Sequence, residues 1–181
     1  PAIKIFLDVG NSEEIEKNLS TYRNDLAVIG VTRVSPKFEF IPFLKEELVL
    51  IVSPKHPLSK RKSVSLKELE AYPLIIRAKG STTRRILLKA FNELEVRPSL
   101  LVEAGSSEFI KQWVSVGKGV SVIVKRIVED EGKRGIVRIV PLTEKLYLEV
   151  AFLYLKEQRF NPAIKTFVQY MEGRGRKIIK T

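Results

Sequence analysis

The sequence predicts an α/β fold with mixed sheets flanked by helices, and three observations carry that prediction. Short apolar runs of strand length alternate with amphipathic helical segments along the chain. Some of these runs, such as Ala27-Val28-Ile29 and Leu48–Val52, are apolar without alternation, the mark of a strand buried on both faces. A unit of apolar strand, Gly/Ser/Thr turn and amphipathic helix also recurs: Ala2–Val9 into Gly10-Asn11-Ser12, Pro73–Arg77 into Gly80-Ser81-Thr82-Thr83, and Ser99–Glu103 into Gly105-Ser106-Ser107.

The elements follow in order. Lys4–Val9 reads as a strand, and Asn11 as the cap of a helix to about Leu19, with Glu14 three residues on. Asp25–Ile29 is a strand ending at Gly30, so the three form a βαβ unit with parallel pairing. Leu48–Val52 is a strand closed by Ser53-Pro54, and Ser65 with Glu68 makes a capping box for a short helix ending near Tyr72. Leu74–Ile76 is a strand, followed by a helix over Arg84–Leu94 with Ile86, Leu87, Ala90, Phe91 and Leu94 inward. Leu100–Val102 is the next strand, and Phe109, Ile110, Trp113, Val114 and Val116 line one side of the helix after it. Val120–Val124 and Ile136–Val140 are strands, and Tyr147–Leu155 is a long alternating one. Asn161 caps a last helix with Pro162 at its first position, Ile164, Phe167, Val168 and Met171 facing inward, and the tail Gly173–Thr181 reads as mobile.

Composition bounds the function. The 44% hydrophobic share supports a packed core and argues against disorder. No apolar run approaches the roughly 20 residues that cross a bilayer, so no membrane partner is expected. The start Pro1-Ala2-Ile3-Lys4 has neither an initiator Met nor a signal-peptide pattern, which reads as a piece of a longer protein. The absence of cysteine excludes disulfides and Cys-bound metal and fits a reducing cytoplasm. The 32 Lys+Arg against 21 Asp+Glu give a net charge of +11, which by itself suggests nucleic acid. The basic residues are scattered, no aromatics alternate with them, and no helix-turn-helix pair is apparent, so the excess reads as a solvated surface and tail.

Each Gly/Ser/Thr turn leaves backbone N–H groups at a helix N-terminus, where the dipole favours negative charge. In α/β sheets ligands sit beyond the carboxyl ends of the strands, where these turns fall. They point to a receptor for a small anion rather than a covalent catalyst. The candidate effector-binding residues are Asn11, Ser12, Gly30, Val31, Ser81, Thr82, Thr83, Gly105, Ser106 and Ser107. For the hydroxyls and Asn11 the alternative is an ordinary helix cap, and for Gly30 a simple turn.

Other chemistry is weaker. His56, the only histidine, lies in Ser53-Pro54-Lys55-His56-Pro57 with no nucleophile or orienting acid near it in sequence, so no catalytic residue is assigned. Glu129-Asp130-Glu131 reads as a solvated helix end rather than a metal site. Trp113 reads as core or dimer contact, and Arg84 and Arg85 as solvent-facing, although both could reach an anion. No metal and no cofactor is called.

Gly10-Asn11-Ser12-Glu13-Glu14-Ile15, Asp25-Leu26-Ala27-Val28, Pro42-Phe43-Leu44, Leu48 through Leu58, Ser65-Leu66-Lys67-Glu68-Leu69 and Gly117-Lys118-Gly119-Val120-Ser121-Val122-Ile123 occur in one order. That order, over nearly the whole chain, resembles the effector-binding domain of LysR-type transcriptional regulators; the last segment is similar to that family's "GxGV" strand. The resemblance implies a type 2 periplasmic-binding-protein-like fold with two lobes, two crossover strands and a small effector between the lobes. It implies a first lobe of residues 1–44 plus 149–181 and a second of 45–148, with hinges near Phe43–Glu47 and Pro141–Leu148. It also implies a non-enzymatic, cytoplasmic protein that forms a homodimer or higher homo-oligomer, the helix after Ser12 lying beside the partner's helix with Phe109 and Trp113. DNA would be a partner only through an N-terminal domain absent from this chain.

Against the family pattern, the chain begins after the usual first strand and helix. The first lobe is therefore expected to be rearranged, or its gap filled by a second copy. Members serving sulphur assimilation carry Thr where this chain has Gly30 and Gly105, which speaks against a sulphate-type effector held in their manner. The competing classes are a transporter's solute-binding protein, which shares the two-lobe plan, and an enzyme such as a deaminase or dehydratase, which would need an acid–base pair.

Overall fold

In a computed structural model, residues 3–178 are described, with side chains through Gly173. The chain divides into one unit of Pro1–Lys45 with Glu149–Thr181 and another of Glu46–Leu148. Two long strands, β2 (Phe38–Val52) and β7 (Tyr147–Leu155), carry the chain across this division.

The first unit contains α1 (Ser12–Ser20), β1 (Ala27–Val31), part of β2, most of β7 and α5 (Pro162–Ile178). Asn11 caps α1, its Oδ1 accepting the Glu14 N–H at 3.0 Å. α1 buries Ile15 and Leu19 against Ala27, Ile29, Val31 and Phe38. The strand order is β1-β7-β2. β1 runs antiparallel to β7, from Ala27 opposite Leu153 to Val31 opposite Glu149. On the other side Phe152 packs with Ile164 and Val168 of α5, and Phe167 and Met171 lie against them. Asn161 caps α5 through an Oδ1 bond from the Ala163 N–H at 3.0 Å.

The expected first strand is absent: residues 3–10 take no regular structure, and Ile5, Phe6, Leu7 and Val9 are 67–91% exposed. The expected βαβ unit is accordingly overturned, and β1 pairs antiparallel with β7 instead. The physical reason is that a strand needs a neighbour. An apolar run with no ladder to join leaves its N–H and C=O groups to water. The tail expected to be mobile from Gly173 continues α5 as far as Ile178, and residues 179–181 lie outside the described part of the chain.

The second unit is built on β2, whose Leu48–Val52 end is wholly buried. It is flanked antiparallel by β5 (Ser121–Val124) and by β6 (Arg138–Val140). β3 (Leu74–Arg77) pairs parallel with β4 (Leu100–Ala104), and a parallel bridge from Leu74 to Val120 brings β3 beside the start of β5. α2 (Thr82–Glu93), α3 (Ser107–Ser115) and the short α4 (Glu129–Lys133) complete the unit. Its core joins Val49, Ile51, Ile75, Ile110, Val114, Ile123 and Val128. The capping box holds: the Ser65 hydroxyl accepts the Lys67 N–H, and Glu68 accepts the Ser65 N–H at 3.0 Å. The turn it starts is a 3-10 helix over Leu66–Ala71.

Candidate functional site

In the second unit, parallel pairing brings two of the three predicted turns to one end of a strand pair. β3 and β4 end in register, Arg77 opposite Ala104, and the Ala78 N–H donates to the Ala104 carbonyl at 2.8 Å. α2 and α3 therefore both begin beyond the same strand ends, each with its positive pole toward them. Six of the predicted residues are brought together here: Ser81, Thr82, Thr83, Gly105, Ser106 and Ser107.

The hydroxyls play different parts. Ser106 is a working cap, accepting the Phe109 N–H at 3.3 Å. Ser81 stands at the cap position of α2 but makes no side-chain cap bond, although the residue is only 7% exposed. Thr82 is buried and its Oγ1 accepts from the Arg85 guanidinium at 2.8 Å. Ser107, the first residue of α3, accepts from Arg77 Nη1 at 2.7 Å. The Ser106 and Ser107 hydroxyls each still have their own O–H to donate. A Cβ on Gly105 would meet open space, so that position imposes no steric demand for glycine.

Charge favours α2 over the other two helix starts. Its first turn has no acidic residue and carries Arg84 and Arg85, whereas α1 has Glu13 and Glu14 and α3 has Glu108. An added anion at α1 meets carboxylates already at the helix pole, and the Glu14 side chain also lies against Gly10.

Sequence reasoning missed Arg77 and read Arg84 as solvent-facing. Arg84 does not face water: its side chain is 11% exposed, donating to the Arg77 carbonyl at 3.1 Å and pairing with Glu103 at 2.6 Å. Arg77, at the carboxyl end of β3, is half-buried, and burial without a compensating carboxylate pulls its guanidinium below its ordinary value. An arginine closing an otherwise apolar strand, Leu74-Ile75-Ile76-Arg77, was the available signal.

In the first unit, Asn11 is committed to capping and Ser12 opens α1. Gly30 lies in β1 opposite Val150, and Val31 is buried at the end of that strand. His56 caps the 3-10 turn Pro57–Lys60, its Nδ1 accepting the Leu58 N–H at 3.2 Å, and burial lowers its pKa. Among the described residues no cluster of His, Asp or Glu suits a metal ion, and no helix is long and apolar enough to cross a membrane.

Known proteins with related sequences and folds fit this geometry. The LysR substrate binding domain family matches residues 1–176. The chain is 32% identical over 176 residues to the HTH-type transcriptional activator CmpR of Synechocystis, covering 94% of this chain and 57% of that protein. It is 30% identical over 176 residues to the RuBisCO operon transcriptional regulator of Acidithiobacillus ferrooxidans, covering 94% and 56%. It thus spans little more than half the length of these relatives. The Synechocystis PCC6803 CcmR regulatory domain, solved in complex with 2-PG, superposes with a TM-score of 0.88 at 27% identity over 97% of this chain and 85% of that one. The effector binding domain of QuiR, solved with shikimate, gives 0.83 at 26% identity over 93% and 79%. The mixed sheets flanked by helices, with two strands crossing between the units, are the type 2 periplasmic-binding-protein-like fold. By sequence and by fold, the chain belongs to the LysR substrate binding domain family.

Proposed function

We propose that this chain is the sensing domain of a cytoplasmic, non-enzymatic transcriptional regulator and binds a small anionic metabolite. In this reading the effector's acidic group is held at the joint start of α2 and α3, by backbone N–H groups and the hydroxyls of Ser81, Thr83 and Ser107. The observation that carries the reading is the pair of helix N-termini opening from adjacent parallel strands, with the buried Ser81 hydroxyl uncommitted to its own helix. One helix terminus contributes only about 0.3–1 kcal/mol at a surface and up to about 2 when partly buried, so useful affinity needs several converging donors.

The relatives are transcriptional regulators, which supports this reading over a transporter's solute-binding protein. The single histidine serves as a cap, which supports binding without catalysis. A DNA-binding domain outside this chain and pairing of two copies complete the proposal. The effector shifts DNA binding only as far as its affinities for two arrangements of the regulator differ.

The test is calorimetric titration of the full-length regulator with 2-phosphoglycolate, shikimate and a panel of other small carboxylates and phosphates. At least one should bind, and Ser81→Ala should weaken it about fivefold or more, the loss of one hydrogen bond of about 1 kcal/mol. Failure of every anion to bind the wild-type protein rules the reading out.

A further inference from the structure

Three arginines surround the start of α2, and they are not equivalent. Arg84 is neutralised, paired with Glu103 at 2.6 Å and tied to the Arg77 carbonyl at 3.1 Å. Arg85 is exposed, and its guanidinium donates to Thr82 Oγ1 at 2.8 Å. Arg77 is half-buried and yet has no carboxylate within ion-pairing distance among the described residues. Its side-chain partner is a neutral hydroxyl, Ser107 Oγ, at 2.7 Å. A guanidinium has five N–H donors, and this bond uses one.

Such a charge is costly to withdraw from water without a counter-charge. The nearby geometry answers the question of what supplies one. Glu103, the residue before the last of β4, stands opposite Ile76 and is paired with Arg84. The helix poles on either side, those of α2 and α3, are positive and cannot compensate a cation. The buried Ser81 hydroxyl beside them makes no cap bond. Positive charge, two helix poles and the Ser81 hydroxyl at one strand end make a complementary surface for an oxyanion.

We infer that Arg77 is the charge-bearing anchor of this site, gripping a carboxylate or phosphate group of the effector through its remaining guanidinium donors while Ser107 holds the fork in place. This rests on the anion-binding reading above and adds the residue that selects for charge. An effector with a planar or tetrahedral oxyanion matches a guanidinium fork, and a lysine in its place supplies charge without that two-point geometry.

The experiment compares the full-length protein with Arg77→Gln, Arg77→Lys and the control Lys89→Gln, a matched charge loss on the exposed face of α2. The probes are 2-phosphoglycolate, shikimate and the methyl ester of shikimate, titrated by calorimetry at two salt concentrations. Removing a charged hydrogen bond is expected to weaken binding about tenfold or more. Arg77→Gln should show that loss for whichever acid binds and a weaker salt dependence, with Arg77→Lys intermediate and Lys89→Gln unchanged. The ester should bind the wild type no better than the acid binds Arg77→Gln. Melting temperatures and circular dichroism identify a variant that fails to fold, and if Arg77→Gln does so the charge-conserving Arg77→Lys carries the test. If an acid binds and Arg77→Gln retains wild-type affinity, the Arg77 assignment falls while anion sensing stands; if the ester binds as well as the acid, both fall. If no acid binds the wild type, both fall together.

Discussion

Gly117 and Gly119 stand two residues apart and satisfy different constraints. Gly117 has φ +79 just past the end of α3, where its N–H donates to the Val114 carbonyl and the Lys118 N–H reaches back to Trp113 at 3.0 Å. Gly119 has no such dihedral. A Cβ there would lie 2.7 Å from the Pro73 carbonyl oxygen, so it is glycine because β5 starts in close contact with the entry to β3. The motif was visible in the sequence, but only the fold separates a conformational glycine from a steric one. His56 illustrates a residue whose chemistry is structural. Burial lowers its pKa from 6.5, so the unfolded chain binds a proton more readily than the native one. Its contribution is therefore complete above pH 6.5 and declines as pH falls below that toward the lower native value. Protonation also removes the Nδ1 acceptor from the Leu58 N–H. His56→Asn keeps a capping acceptor without titrating in this range. Denaturant unfolding from about pH 7.5 to about pH 5 should show a steeper loss of stability for wild type than for His56→Asn. Equal slopes would contradict this account.

At the scale of elements, α3 is pinned to α4 by a lysine. Lys111 is 8% exposed, and its ammonium contacts Glu131 at 2.6 Å, Glu108 at 2.7 Å and the Ile127 carbonyl at 3.2 Å. Burial opposes its charge, but the two carboxylates outweigh burial and raise its pKa. The bond from Lys111 correspondingly lowers that of Glu131. Lys111→Met should cost about 3 kcal/mol in chemical denaturation, because Glu131 is left largely buried without a partner. Lys111→Met with Glu131→Leu should recover most of that loss, since the orphaned charge is then gone. A double variant no more stable than the single one would show that the pair is not the cause. Neither partner was legible from the amphipathic pattern, which marks Lys111 only as a polar residue on an apolar helix. β2 was half legible for a related reason. Leu48–Val52 is a continuous apolar run, whereas Phe38–Glu47 is only partly buried and includes Pro42 and Lys45-Glu46-Glu47, so nothing in its pattern announces a strand.

At the scale of the molecule, the described N-terminal segment is the departure from an ordinary soluble surface. Phe6 is 91% exposed, Leu7 86% and Val9 81%, in a chain whose core residues are almost entirely covered. Side chains in contact with water contribute little to folding, so Phe6→Ser with Leu7→Ser should leave the unfolding free energy within about 0.5 kcal/mol. The same variant should bind less apolar dye and sediment with less self-association, since adjacent exposed apolar residues favour contact with other molecules. A fall in stability of more than about 1 kcal/mol would mean that the segment packs against the protein in solution.

The sequence by itself determined what its local chemistry reaches: the caps at Asn11, Ser65 and Asn161, the inward faces of α2 and α5, that of α3 except Val116, which ends the helix 69% exposed, the bounds of β7, and a family pattern of motifs in order. These depend on residues a few positions apart, so period and spacing expose them. Tertiary structure decided the rest. It left residues 3–10 without a partner strand, turned β1 antiparallel to β7, and set the register that brings the starts of α2 and α3 to the same strand ends. It also brought Arg77 within hydrogen-bonding distance of Ser107, thirty positions away. Pairing and charge compensation between distant residues depend on which strand lies next to which, and hydrophobic periodicity carries no record of that choice.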